Sequence, residues 1–178
     1  WKQPLLRDAI RVSDGTDVKN SIIPLFDNMD AIFRSLDYYQ PDFIHFCDTL
    51  TDEDGDEVDL EKYITIQRET KKRFPEIRIM RSIPIPPDDS GRDFPSLSIA
   101  RKFEGVSDMF LTDTWLGSEP VKGFIGITGK RCDRKMASDL VKASRIPVIL
   151  GGGLSPENVY DSLVEVIPAG ADSCTLTN

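Results

Sequence analysis

Short apolar runs that alternate with longer amphipathic stretches constrain the fold of this chain more than any other feature of its sequence. The apolar runs have the length of β-strands, and the stretches between them carry apolar residues at helical spacing. Predicted strands occupy residues 21–26, 42–47, 77–83, 107–113, 147–150 and 171–176, and predicted helices occupy residues 29–39, 58–74, 96–103, 133–144 and 155–166. Apolar strands joined through helices are typical of parallel β-α units with both sheet faces covered.

This pattern fits two architectures. An open, doubly wound sheet and a closed eight-stranded barrel both alternate strands with helices, and periodicity does not choose between them. Residues 84–95, with four prolines and one glycine, are predicted to form a loop. The 178 residues, of which 39% are apolar, suffice for one domain with a sizeable core.

Charge and cysteine content argue against several classes of partner. The net charge is −8 and no run of lysine or arginine forms a basic patch, which disfavours nucleic acid and anionic membranes. Three widely spaced cysteines do not suit a disulfide framework, and residues 1–4 lack the features of a signal peptide. We therefore expect a cytoplasmic protein. Since the sequence does not begin with methionine, we interpret it as part of a longer chain.

The strongest motif is a strand that runs into three glycines and then into a helix, over residues 147–158. Gly151, Gly152 and Gly153 would let the backbone approach a ligand closely and turn its N–H groups toward an anion. Ser155 is predicted to cap the following helix, whose N-terminus also favours an anion. A tight turn is the alternative, but it would not need three glycines, so we favour a phosphate site.

Two further segments place polar groups after predicted strands. Asp113 ends a strand, where it could exchange a proton with a substrate or cap the next loop. Residues 126–130 follow, with Thr128, Gly129 and Lys130 as candidate ligands of an anion in a mobile lid, or as part of a plain connection. The residues themselves leave these alternatives open.

Taken together and in this order, these segments resemble the phosphoribosylanthranilate isomerase family. Residues 110–114 are similar to the family's L-D-T strand end, residues 126–130 to its G-G-T-G-K loop, and residues 147–159 to its P-[VL]-x-L-A-G-G-L-x-P-E-N-V segment. The segments similar to the family's third, fourth and fifth strands are residues 23–28, 41–46 and 79–83.

The resemblance implies an α/β fold, the (β/α)8 barrel, and the Amadori rearrangement of N-(5'-phosphoribosyl)anthranilate in tryptophan biosynthesis. It implies no metal or organic cofactor, a small phosphorylated substrate as the partner, and a homodimer as one assembly to consider. Asp113 would be the acid that opens the furanose ring. The residues implied in substrate and phosphate binding are Thr128, Gly129, Lys130, Gly151, Gly152, Gly153, Cys174 and Thr175.

The chain also departs from the family pattern. The family's first two strands, which supply a cysteine base and a carboxylate-binding arginine, and its last helix have no counterpart here. We therefore expect one barrel domain over residues 1–178 that is incomplete at both ends. Ile127 and Leu176 replace glycines of the lid and phosphate motifs. These changes favour, as the alternative, a divergent barrel that binds a phosphorylated ligand without this isomerase activity.

Two other features fit structural roles better than functional ones. His45 is the single histidine, and a lone histidine on a strand is more often a satisfied core residue than a catalytic group. The acidic stretch of residues 48–59 resembles part of a calcium loop, but Leu50 would occupy a ligand position. We therefore predict a solvated acidic loop.

Overall fold

Helices and parallel strands alternate along the chain in this computed structural model, which describes residues 3–88, 91 and 93–177. The strands are β1 (Ser21–Ile22), β2 (Phe43–Phe46), β3 (Arg78–Ile85), β4 (Met109–Thr114), β5 (Val148–Leu150) and β6 (Gly170–Ala171). The helices are α1 (Pro4–Arg11), α2 (Met29–Tyr39), α3 (Glu61–Arg73), α4 (Ser96–Phe103), α5 (Arg134–Ala143) and α6 (Val159–Val166). A short 3-10 turn, Glu104–Val106, follows α4.

The order of the strands decides between the two predicted architectures. Neighbouring strands pair in parallel in the order β1-β2-β3-β4-β5-β6, which is also their order along the chain. A doubly wound sheet reverses its strand order at a switch point, and these six strands show no reversal. The connections progress in one direction, as they do around a (β/α)8 barrel, so the predicted fold class is confirmed.

Successive side chains of the central strands point to opposite faces of the sheet, which separates a helix-facing core from an inward face. The helix-facing side chains are mostly apolar and pack in two clusters against the helices. These clusters include Ile44, Phe46, Ile79, Ile83, Ile85, Phe110 and Val148. On the inward face, His45, Cys47, Leu111 and Asp113 border one cavity. The residues that could perform chemistry are thus kept apart from the packed core.

The ends of three strands differ from the prediction. β1 ends at Ile22 instead of residue 26, and Pro24, which has no N–H to donate to a sheet ladder, lies just beyond it. β3 continues to Ile85, into the predicted loop, of which residues 89, 90 and 92 lie outside the described part. β6 covers only Gly170–Ala171, so the predicted strand over residues 171–176 is wrong in extent.

Three helices also differ, and one of them, α3, begins at Glu61 instead of residue 58. The predicted cap Ser155 does not begin α6, because residues 155–158 form a turn and the helix starts at Val159. The sequence pattern does not predict α1, whose apolar residues Leu5 and Leu6 are exposed. Within the described residues, no helix is long and apolar enough to cross a lipid bilayer.

Candidate active site

Asp113 lies at the carboxyl end of β4, half-buried on the inward face of the sheet. The Ser82 hydroxyl on β3 donates a hydrogen bond of 2.5 Å to its Oδ2 atom. The His45 ring on β2 reaches the same hydroxyl, with Nε2 lying 2.7 Å from Ser82 Oγ. Three neighbouring strands therefore contribute one continuous hydrogen-bonded row.

The surroundings of Asp113 favour its protonated form. Desolvation by burial raises the pKa of Asp113 to about 7, against the opposing effect of the Ser82 hydrogen bond. The negative charges of Asp172 and Glu119 act in the same direction as burial on this pKa. A carboxyl group with such a pKa retains a proton near neutral pH and can donate it, which an ordinary aspartic acid cannot do.

The three glycines after β5 each lie close to a different neighbour. A Cβ atom on Gly151 would lie 2.6 Å from a backbone oxygen of β4, and one on Gly152 would lie 2.5 Å from Thr114 Oγ1 on the same strand. A Cβ atom on Gly153 would lie 2.6 Å from the backbone of Lys130. Gly152 and Gly153 also have φ angles of 94° and 66°. Close packing therefore requires all three glycines, whichever ligand the bend holds.

The segment of residues 126–130 passes over the end of β4. The Thr114 hydroxyl donates a hydrogen bond of 2.7 Å to the last carbonyl of the segment. Gly126, with a φ of 108°, approaches the acid so closely that a Cβ atom there would lie 3.1 Å from Asp113 Oδ1. Ile127 has a φ of 59°, a left-handed conformation that glycine adopts more readily. The structure thus explains why the resemblance expects glycine at position 127.

A cavity at the carboxyl ends of β4, β5 and β6 brings together most of the predicted site residues. The predicted residues in its lining are Asp113, Thr128, Gly129, Gly152, Gly153, Cys174 and Thr175. Gly151 and Lys130 do not line it, because Gly151 is buried beneath the bend and the Lys130 side chain is exposed to solvent. Cys174 and Thr175 reach the cavity from the turn after β6 instead of from a strand. The glycine bend and the acid open onto one space.

A second, more apolar cavity adjoins the first. Its apolar lining includes Ile23, Leu25, Leu111, Val121, Phe124 and Ile125. His45 and Cys47 also border it, and Asp113, Asp172 and Cys174 border both cavities. An acid at this boundary can reach the middle of a ligand whose anionic end lies in the first cavity and whose apolar end lies in the second.

The sequence prediction did not single out two residues of this site. Ser82 lies within β3, and Asp172 directly follows β6. The strand-end position that identifies Asp113 also applies to Asp172. Finding Ser82 requires the register between β3 and β4, which the sequence does not provide.

Metal-ligand clusters do not occur in the described residues: no group of three or more His, Cys, Asp or Glu side chains is placed to hold an ion. In the acidic stretch, Asp52 Oδ1 accepts hydrogen bonds from the backbone N–H groups of Asp54 and Asp56, at 3.0 and 2.9 Å. The carboxylate of Asp52 therefore stabilises the turn itself.

One family model and several known proteins are similar to this chain. Residues 58–173 match the family model described as N-(5'-phosphoribosyl)anthranilate (PRA) isomerase. The N-(5'-phosphoribosyl)anthranilate isomerase of Methanocella arvoryzae is 32% identical over 105 residues, which are 59% of this chain and 44% of that protein. The chain therefore spans less than half the length of that relative.

Solved structures with low sequence identity share the fold. The N-(5'-phosphoribosyl)anthranilate isomerase of Pyrococcus furiosus has a TM-score of 0.64 and 18% identity, covering 96% of this chain and 70% of that one. A phosphoribosylanthranilate isomerase in complex with reduced 1-(o-carboxyphenylamino)-1-deoxyribulose 5-phosphate has a TM-score of 0.63 and 17% identity, covering 97% of this chain and 68% of that one.

Proposed function

Because this chain belongs to the N-(5'-phosphoribosyl)anthranilate isomerase family, we propose that the complete protein catalyses the Amadori rearrangement of N-(5'-phosphoribosyl)anthranilate in tryptophan biosynthesis. The observation that carries this proposal is the position of Asp113 at the boundary of a glycine-lined cavity and an apolar one. The substrate carries a phosphate at one end, an aromatic ring at the other and a sugar between them. A substrate that occupies both cavities presents its sugar to the acid.

Asp113 is suited to opening the furanose ring. Its carboxyl proton passes to the ring oxygen while the bond between that oxygen and C1 breaks, and the nitrogen lone pair forms a C1–N double bond. The ring oxygen keeps the proton as a hydroxyl group, and Asp113 is left as a carboxylate. Since burial raises the pKa of Asp113 to about 7, the proton needed for this step is available near neutral pH.

A different group must remove the C2 proton of the sugar. Burial raises the pKa of Cys47 and of Cys132 to about 12, so neither thiol is ionised at neutral pH. We place the base on the family's first strand, which is not part of these 178 residues.

The glycine-lined cavity would hold the phosphate mainly through backbone N–H groups and hydroxyls. Gly152 and Gly153 contribute backbone atoms to the lining, and Thr128 and Thr175 are hydroxyl-bearing residues of the same lining. Lysine and arginine are absent from the described lining of this cavity. Backbone N–H groups that converge in a concave bend suffice to bind an anion of this kind.

Turnover of N-(5'-phosphoribosyl)anthranilate by the complete protein, followed by fluorescence, tests the assignment. Asp113→Asn keeps the shape of the side chain and removes its acidic proton, so we expect kcat to fall by about 10²–10⁴-fold. Asp161→Asn, which removes the same charge from an exposed position on α6, serves as the control and should not change kcat. Full activity of Asp113→Asn with an unchanged circular dichroism spectrum would overturn the assignment.

The second candidate function is a barrel that binds a phosphorylated ligand without this reaction. Leu176 lines the glycine-lined cavity at a position where the family's phosphate motif has glycine, which favours this candidate. Binding of the substrate by the complete protein without any turnover would support it over the isomerase.

We also propose one barrel domain that segments outside residues 1–178 complete. β1 and β6 are the edges of the described sheet, and a closed barrel pairs such edges. We also propose a small phosphorylated sugar as the ligand and a cytoplasmic location. The net charge of −8 disfavours a nucleic-acid partner. A homodimer is tested by light scattering of the complete protein.

A further inference from the structure

We propose that His45 and Ser82 are positioning residues for the acid of this reaction. His45 donates its Nε2 proton to Ser82 Oγ, and Ser82 consequently donates its single hydroxyl proton to Asp113 Oδ2. The inference rests on the proposed function for the role of Asp113 and extends it to two residues that act through the acid. The inference is supported by the register of three adjacent strands, by two short contacts between their side chains and by the number of protons that these side chains can donate.

The strand register places the three side chains in one row. His45 pairs with Met80, and Ser82 lies two residues further along β3. Ser82 in turn pairs with Leu111, and Asp113 lies two residues further along β4. A step of two residues keeps each side chain on the same face of its strand, and a barrel sheet is staggered in this way. The row is therefore a product of the barrel geometry and not of one flexible side chain.

The hydrogen bonds of the row have one consistent direction while Asp113 is ionised. A carboxylate only accepts hydrogen bonds, so the Ser82 hydroxyl must donate to Oδ2, at 2.5 Å. Since a hydroxyl has one proton, Ser82 Oγ can only accept from His45, whose Nε2 lies 2.7 Å away. His45 must therefore carry a proton on Nε2.

A neutral His45 suits an acid better than a charged one. Desolvation by burial, together with the positive charge of Arg81, lowers the pKa of His45 to about 4. A neutral ring orders the Ser82 hydroxyl without placing a full positive charge near Asp113, which would hold the acid in its ionised form. The other titratable groups whose charges act on the row or share its surroundings are Cys47, Asp48, Glu119, Cys132 and Asp172.

The row assigns different tasks to the two oxygens of the acid. Ser82 holds Oδ2, and Oδ1 is the oxygen nearest to Gly126, on the wall of the apolar cavity. Oδ1 carries the proton that is transferred to the substrate. Without the Nε2 donor, the Ser82 hydroxyl is free to rotate toward another acceptor, and the carboxylate loses the group that orients and stabilises it.

The first test measures the tautomer of His45 directly. In the complete protein labelled with ¹⁵N, the His45 signals are identified by their loss in His45→Gln and are followed from pH 4 to pH 9. We expect a neutral ring with the proton on Nε2 at pH 8, where Asp113 is mostly ionised. A neutral ring with its proton on Nδ1 at pH 8 would overturn the proposal.

The second test uses the pH dependence of kcat in variants of His45 and Ser82. An acid that must be protonated loses activity as the pH rises through its pKa, so this alkaline limb reports on Asp113. His45→Phe removes the donor, and we expect a limb shifted upward by about one pH unit with kcat lowered about tenfold. His45→Gln, whose amide N–H₂ can donate in place of Nε2, should return the limb toward its original position.

Ser82→Ala keeps the proposal testable if His45→Phe does not fold. Ser82→Ala should shift the alkaline limb upward at least as far as His45→Phe does. The double variant that combines Ser82→Ala with His45→Phe should have the same limb as Ser82→Ala alone, because His45 acts only through Ser82. An alkaline limb that does not move in either single variant would refute the positioning role of His45 and Ser82, even if kcat falls. If the wild type does not turn over the substrate, the proposed function fails. The measurement of the His45 tautomer still tests the direction of the hydrogen bonds in the row.

Discussion

Asp113 and His45 perturb the pH dependence of stability in opposite directions. Burial raises the pKa of Asp113 from 3.8 to about 7, so between these values the folded protein holds a proton that the unfolded chain has released. Burial lowers the pKa of His45 from 6.5 to about 4, so over that range the folded protein lacks a proton that the unfolded chain holds. Stability falls with rising pH in the first case and rises in the second, so the two effects oppose each other.

Single variants should separate these two effects. Relative to the wild type, the free energy of unfolding of Asp113→Asn should increase steadily between pH 4 and pH 7, because the stability that Asp113 loses with rising pH is absent. The same difference for His45→Gln should decrease between pH 4 and pH 6.5. Urea denaturation at four pH values measures both. Differences that do not change with pH would show that these pKa shifts are absent from the folded protein.

Ile127 combines a β-branched side chain with a left-handed backbone, and it is 65% exposed. Since glycine adopts this conformation without the steric cost, Ile127→Gly should raise the free energy of unfolding by about 1 kcal/mol. Val164→Gly is the matched control: Val164 is also exposed, but it lies within α6, where glycine should destabilise by about 1 kcal/mol. Thermal unfolding distinguishes the two. A loss of stability in both variants would contradict the strain at position 127.

The sequence predicts individual site residues unequally. Asp113 is found because a carboxylate at a strand end faces the ligand side of a parallel barrel. Ser82 is not found, because its role depends on the pairing of β3 with β4, which is a contact between residues far apart in the chain. Lys130 was a candidate on account of its charge, yet its backbone supplies the packing against Gly153 and its side chain is exposed.

The bend after β5 is held by its contacts with β4 and with the segment over residues 126–130. Gly152→Ala adds a methyl group 2.5 Å from Thr114 Oγ1 at a φ of 94°, so the bend or the segment must move. We expect a weaker substrate interaction, with KM raised about tenfold or more, and a loss of stability greater than 1 kcal/mol. Gly15→Ala is the control, since its φ is 79° but nothing lies within 4 Å of the added methyl group.

The comparison of these two variants separates backbone strain from crowding. Gly15→Ala should lose stability through its φ angle without any effect on KM. Equal values of KM for Gly152→Ala and the wild type would contradict the placement of the phosphate in the glycine bend.

The number and order of elements were predictable, whereas their ends were not. Alternating apolar and amphipathic segments predict all six strands and the five helices between them, because each signal lies within one segment. The extent of β1 and β6 depends on how many positions their neighbours pair with, and each has only two. α1 escapes prediction because its apolar residues Leu5 and Leu6 are exposed, so burial against a core does not explain it.

In the molecule as a whole, the residues that stabilise the fold lie apart from the residues of the candidate site. The two large apolar clusters lie between the sheet and the helices, while the acid, the glycine bend and the apolar cavity lie at the carboxyl ends of the strands. Variation in the loops at that end therefore changes the ligand with little effect on the core, as barrels generally allow. Ile127 and Leu176, which replace glycines of the family motifs in the resemblance, both line the glycine-lined cavity at that end.

A divalent anion that binds in the glycine-lined cavity of the folded protein, and not to the unfolded chain, should stabilise the protein against unfolding. Sulfate keeps its double charge across the relevant pH range, and at one hundred times its Kd it would add about 2.7 kcal/mol to the free energy of unfolding. For a protein of this size or somewhat larger, that corresponds to a rise in Tm of roughly 5–10 °C. Asp113→Asn should keep this rise, since in the proposed function Asp113 acts on the sugar and not on the phosphate. Gly152→Ala should lose most of it. Because sulfate also stabilises proteins in general by exclusion from their surface, only the difference between these variants reports on the site. An identical rise in both would leave the glycine bend without a ligand and would favour a structural role for the three glycines.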